Sequence, residues 1–419
     1  MSLPQAVNYA EQLPSLPSQS QVINVAVNPT NASSFTAGSQ IQLDLINRGF
    51  LIPDSMYLSY DYSITQGAAL GAQMKGCPAY TPFSRQDVQV GSQTIDTISS
   101  YNVLMAMITN LNYSVAQKMG LPSLGYGPST PATPTLESMD GRLFDTATTE
   151  TGSFSMPLMS ILSNAEKLIP LFAVGAVRVS LTLDSIANIF TTVLVPSVFT
   201  ITNVELRYKV VDLGNDVEDM VRGMGSRLFI KSQSFGVASQ TLASGANGAQ
   251  ELTFNQRYAS CKSIFAINGT STANGNTFFD SCNLAANSEY SFNIAGISYP
   301  QKPISTSRSR NQAFMELKSA TGSIFDKNNN VAITALEYAY DGTTSSTTYA
   351  VPAKFYIGTS LEKLNSDSLL TGISTQSSNI GYRVTLGGAT SSTVTVTLVV
   401  NHDSILEIDV MNKDLIVRN

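Results

Sequence analysis

Apolar and polar residues alternate at the middle of the chain. Val204, Leu206, Tyr208 and Val210 take turns with Glu205, Arg207 and Lys209, a period of two that puts apolar side chains on one sheet face and charges on the other. Asp212-Leu-Gly-Asn-Asp then breaks the pattern with helix-capping residues. A short polar helix follows through Val217, Met220 and Val221, closed by Gly223 and Gly225, and a new strand opens at Leu228. About half of the 419 residues lie on each side, so residues 197–234 read as a joint between two similar β domains.

In the first half, strands are expected at residues 22–27, 41–45, 56–64, 87–91, 152–158 and 177–183, with a closing strand from Phe199. Turn residues between them, including the Gly-rich stretch 67–76, mark a sandwich or barrel rather than βαβ units. Residues 98–119 break the pattern. Leu104, Ile108, Leu111 and Val115 recur at helical spacing, which predicts a helix along one side of the barrel with its methionines in the core. Residues 121–149 carry no periodicity and read as a long excursion loop. Residues 1–20 form an arm that either docks on a neighbour through Tyr9, Ala10 and Leu13 or frays.

The second half repeats the plan. Strands are expected at residues 228–232, 251–254, 264–267 and 290–296, then 331–340, 354–357, 382–386, 394–400 and 406–410. A helix bearing Ala313, Phe314 and Leu317 is expected over residues 307–320, after the link Tyr299-Pro-Gln-Lys-Pro. The order strand, glycine, linker, helix recurs about two hundred residues after its first appearance at Val88–Val90, Gly91 and Ser99, an architectural repeat. Roughly eight strands per half is the count for a jelly roll, so the expected fold class is all-β: two tandem eight-stranded jelly rolls, each with a flanking helix. The divisions are 1–20 N-terminal arm, 21–212 first jelly roll, 213–226 linker helix and 227–419 second jelly roll.

Composition narrows the function. Charged residues are only 13% against 43% hydrophobic, about half the typical charged share, which suits β proteins that pack against copies of themselves and secreted β proteins alike. The net charge is −6 and no Lys/Arg run occurs. A nucleic-acid wrapper needs phosphate-neutralising cations, so direct genome binding is not expected. Cys77, Cys261 and Cys282 are odd in number and far apart. They read as free thiols in a reducing compartment, with a Cys261–Cys282 bridge as the alternative. No secretory leader is visible, so synthesis without a signal peptide is expected; the longest apolar runs are too short for a membrane helix.

Catalytic chemistry has little to draw on. The lone histidine, His402, falls between two expected strands and reads as a surface or strand-end residue. Asp212, Asp216, Glu218 and Asp219 cluster at the joint. They could serve acid/base or cation chemistry, but at a helix start they also complement the macrodipole. No phosphate-cradling motif occurs, and Asp326-Lys-Asn-Asn-Asn lacks the glycine and glutamate of a calcium loop. No catalytic, cofactor-binding or metal-ligating residue is assigned, and the chain is not expected to be an enzyme.

Tandem barrel-sized halves with one helix each, the lead-in 163–172 to the strand 177–183, and the link Gly296-Ile-Ser-Tyr-Pro-Gln-Lys-Pro carry a resemblance. Over residues 20–415 the chain resembles the double jelly-roll major capsid proteins of adenoviruses, tailless membrane-containing phages, virophages and related large DNA viruses. The resemblance implies a homotrimer whose six barrels form a pseudo-hexagonal capsomer of an icosahedral virion. It also implies neighbouring capsomers, penton or minor capsid proteins and an internal membrane as partners. Loops 121–149, 240–250, 268–276 and 341–348 would then be candidates for an outward crown or inter-subunit clasps. The alternative is a two-domain β-sandwich adhesin or carbohydrate-binding protein, which would more often carry a leader, paired cysteines or tryptophans. A capsid protein with a projecting domain would carry a basic arm, and an enzyme on a β scaffold ranks last.

Overall fold

The computed structural model describes residues 20–65, 72–127, 141–144, 149–190, 196, 198–223, 227–270, 279–282, 284, 288–306, 310–322, 331–333, 338, 354–362, 370–390 and 392–419. Among the strands of the described residues, sixteen form the sheets of two domains. The first holds β1 (Gln21–Val27), β2 (Gln40–Asp44), β3 (Tyr57–Thr65), β4 (Phe83–Val90), β5 (Gln93–Ser99), β6 (Thr149–Pro157), β7 (Val177–Leu183) and β8 (Val198–Asp212). The second holds β9 (Arg227–Leu242), β10 (Gly248–Phe254), β11 (Cys261–Thr270), β12 (Glu289–Ile294), β13 (Ile297–Ser305), β14 (Ile357–Ser360), β15 (Ile380–Leu386) and β16 (Val394–Asp409).

The two domains share one topology. In the first, one sheet runs β1-β8-β3-β6 and the other β2-β7-β4-β5; in the second the orders are β9-β16-β11-β14 and β10-β15-β12-β13. Adding eight to each number of the first pair gives the second pair. In both, the first strand pairs antiparallel with the last, Gln21↔Asp212 through Val27↔Leu206 and Arg227↔Asp409 through Leu242↔Val394. This two-sheet, eight-strand order is that of a jelly roll. The helices also match: α1 (Tyr101–Asn112) lies between β5 and β6, and α3 (Arg310–Ala320) between β13 and β14. Between the domains stands α2 (Asn215–Gly223).

Alternation builds the cores. Along β3, Leu58, Tyr60, Tyr62 and Ile64 are buried while the residues between them are not. Their rings meet Phe83, Phe154 and Phe144 at centroid distances of 4.6–5.8 Å, and the row continues to Phe190 and Phe199. Edge-to-face geometry dominates it, as the ring quadrupoles favour. In the second domain Tyr290, Phe292 and Tyr382 pack against one another in the core. Gly358 on β14 lets α3 approach closely, since a Cβ there would lie 3.0 Å from Leu317 Cδ1 and Phe265 Cδ1.

Several expectations change. The linkers before the helices are strands: β5 and β13 occupy the stretches read as connections. Both are edge strands, where polar residues face solvent and the two prolines of β13 cost no interior ladder bonds. The expected helix 98–119 is α1 plus a second helix Val115–Met119, with Ile98 in β5. Rather than presenting one apolar stripe, α1 is buried on nearly every face, from Tyr101 to Leu111. Strands expected at 394–400 and 406–410 are one, β16, and residues 240–250 are mostly β9 and β10. Of the expected strand 331–340, the described residues join no sheet. Residues 1–19, 128–140, 145–148, 271–276 and 341–348, where the arm and most of the candidate crown loops fall, lie outside the described residues.

Candidate functional site at the seam between the barrels

Strand β9 has β16 on one side only, so its other edge offers open backbone groups. The turn leading from β6 towards β7 closes that edge. Lys231 O accepts from Glu166 N at 2.9 Å and Gln233 O accepts from Asn164 Nδ2 at 3.1 Å. These carbonyls are two residues apart and so point the same way. Ser232 Oγ, on the alternate face, donates to Ile161 O at 2.5 Å, and Ser234 Oγ donates to Asp96 of β5. Lys231 Nζ adds an ion pair to Glu166 at 3.2 Å. The start of the segment 163–172, whose pattern alone suggested a lead-in to β7, thus caps the neighbouring domain's sheet edge through Asn164 and Glu166, while Ile169 and Pro170 pair with Leu51 and Phe50 of the first domain.

A second contact runs through α1. Asn110, buried at its C-terminal end, donates from Nδ2 to Tyr356 Oη at 2.9 Å, and Leu111 O accepts from Ala332 N. Lys118, also buried, contacts Asn110 Oδ1 and lies 5.2 Å from the Tyr126 ring. A third contact lies at the chain's last strand, Asp414–Arg418, which pairs with β16 and packs on β5. Leu406, Ile408 and Leu415 are fully buried there. On its other face Glu407 sits between Phe229 and Ile416 in register, 2% exposed, with Arg227 Nη1 at 2.7 Å and Arg418 Nε against its second oxygen.

The carboxylates at the joint do not converge. Asp212 pairs with Arg48 at 2.6 Å, and that hydrogen bond holds it below the usual carboxylate range. Arg222 takes Glu218 and Asp219 at 3.4 and 3.0 Å, while its guanidinium lies 5.2 Å from the Phe172 ring. Among the described residues no group of three or more His, Cys, Asp or Glu side chains is placed to hold a metal ion.

His402 departs from its sequence reading. It lies within β16 rather than between strands, 2% exposed, stacked on Tyr258 with centroids 3.7 Å apart and planes 10° from parallel. Ser404 Oγ lies 3.1 Å from its Nδ1, and burial pushes its pKa down to about 4. A Cβ at Gly236 would fall 2.0 Å from Tyr258 Oη, so the glycine makes room for the stack. The thiols of Cys77 and Cys261 are buried and Cys282 is half-buried; none of the three is in a disulfide. Burial pushes Cys77 and Cys261 up to about 11, the range of an unreactive thiol. Asp96 and Asn164, central to the seam, were missed by sequence reasoning, because nothing local distinguishes them from other strand and turn polars.

No protein-family model matches the sequence, and no curated protein matches it. Solved structures do match along the whole chain. VP54 of PBCV-1, in a structure fitted into a reconstruction of the virophage Sputnik, is 11% identical with a TM-score of 0.63, covering 98% of this chain and 99% of that one. The fold is a double jelly roll. The major capsid protein of Faustovirus shares it at 9% identity and TM-score 0.64, covering 96% of this chain and 92% of that one. That of mavirus shares it at 10% identity and TM-score 0.53, covering 100% and 95%. At such identities the likeness is one of fold, and it extends to the tandem arrangement of the double jelly roll.

Proposed function

We propose that this chain is a major capsid protein, a structural component of an icosahedral virus shell. The observation that carries the reading is the pair of jelly rolls of identical strand order, joined by a fixed seam and spanning nearly the full length of solved capsid proteins. Three copies would place six similar barrels around one axis, a nearly hexagonal block that tiles a closed surface. A seam that holds two barrels in one orientation is what such tiling requires. The acidic balance, −6 over the chain, suits a shell with no direct genome contact. Neighbouring copies are its first partners; penton or minor capsid proteins and an inner membrane follow from the same reading, and its location is the virion.

The test is native mass. Three copies of 44.8 kDa give about 134 kDa. Light scattering should return that value, with hexagonal blocks in negative stain. A protein that stays monomeric at high concentration overturns the reading and turns attention to glycan binding.

A further inference from the structure

The seam between the barrels turns on one carboxyl group. Ser234 Oγ of β9 lies 2.9 and 3.0 Å from the two oxygens of Asp96 on β5, and the backbone N–H groups of Ile161 and Thr97 also bond to it. Ile161 is the same residue whose carbonyl accepts from Ser232. Asp96 therefore ties together β5, the capping turn and the edge of β9, three pieces from two domains.

Its donors are all neutral. The charged groups on the elements packed around it are taken elsewhere: Arg85 by Asp87 on β4, Lys231 of β9 by Glu166 of the turn, and Arg418 of the last strand by Glu407. Asp87 itself faces Asp96 as a like charge, as does Tyr258 were it to ionise. His402 stands opposite Ser234 in the β9–β16 register, with Asp403 beside it, and Asp414 lies on the last strand. An ionised Asp96 in this setting is half-buried beside another carboxylate and, among the described residues, in no ion pair of its own, whereas a protonated one avoids that charge cost.

We propose that Asp96 is a proton-operated latch on the seam, holding the two barrels more tightly when its carboxyl is protonated. Partial desolvation between the packed elements raises its pKa from 3.8 to about 6; the hydrogen bonds from Ser234, Ile161 and Thr97 oppose that and lose. Opening the seam would hydrate the group and return it towards its ordinary value. The folded value being the higher one, the latch is fully engaged below about pH 3.8 and released as pH rises through about 6. From pH 7.5 to 5, proton linkage alone raises the closed-to-open ratio roughly tenfold. The His402 pKa near 4 puts the charging of that ring in the closed state below this window.

Amide hydrogen exchange at Ile161 and Glu166, corrected for the intrinsic pH dependence of exchange, reads the seam directly. In the wild-type protein their protection should rise about tenfold from pH 7.5 to 5. Asp96→Asn, which carries the same shape without the charge, should remove that rise. Protection that is flat or falling in the wild type, or a tenfold rise that persists in Asp96→Asn, overturns the proposal. Should Asp96→Asn not fold, Ser234→Ala decides: losing the hydroxyl that favours the ionised form should move the midpoint above 6, and an unmoved midpoint overturns it.

Discussion

A single ring shows how burial turns a common residue into a pH-dependent one. His402 stacks face to face on Tyr258 inside β16, where a charged imidazolium would lose its water without gaining a counter-charge. Its folded pKa of about 4 lies below the ordinary 6.5. The sign follows: the contribution is present above about pH 6.5 and lost as pH falls through about 4. By pH 4.5 this residue alone would subtract about 3 kcal/mol of stability. His402→Phe keeps an aromatic ring over Tyr258 and removes the titration. Urea unfolding at pH 7 and 4.5 should show the variant losing less on acidification than the wild type; an equal loss in both would place the acid sensitivity elsewhere. Asp96 works in the opposite direction, so the two partly cancel in the wild type and separate only in variants.

Elements succeed where their own residues state their environment. β3 and β7 alternate apolar and polar residues in sequence, and β8 does so on either side of a register shift between Thr202 and Glu205, so the sequence pattern identifies all three. β5 and β13 were read as linkers because edge strands tolerate the polar residues and prolines that argue against a strand in the middle of a sheet. The break assigned at His402 fails for a related reason: Asn401, His402, Asp403 and Ser404 look like a turn, yet His402, Asp403 and Ser404 are buried, with Asp403 accepting from Ser260 at 2.8 Å and His402 stacked on Tyr258, both far away in sequence. The seam was illegible because its key contacts, Asp96 with Ser234 and Asn110 with Tyr356, join residues 138 and 246 positions apart. Helix α3 was legible, but not the sheet glycine that seats it. Gly358→Val would press a branched side chain against Leu317, Phe265 and Ala320, costing about 1–3 kcal/mol. Gly388→Ala, with open space around its Cβ, should leave the urea midpoint nearly unchanged. Equal midpoints for the two variants would show that α3 is not seated through Gly358.

At the scale of the whole molecule, what matters is how two barrels of identical topology are held together. A linker helix alone would leave them free to swivel, since α2 buries no residue. The ties between them are the edge of β9 capped by residues 160–166, α1 bonded to the second domain, and the last strand packed on β5. Each hydrogen bond contributes only about 1 kcal/mol, but all of them open together if the barrels part, so their contributions combine. The chain should therefore unfold in one calorimetric transition despite its two domains. Asn164→Ala combined with Tyr356→Phe removes one bond from the capped edge and one from α1 while leaving both cores intact. In that variant the transition should broaden or split as the domains begin to melt separately. If it stays single at an unchanged Tm, these contacts do not hold the barrels together, and the rigidity that a shell-forming block needs would have to come from neighbouring copies.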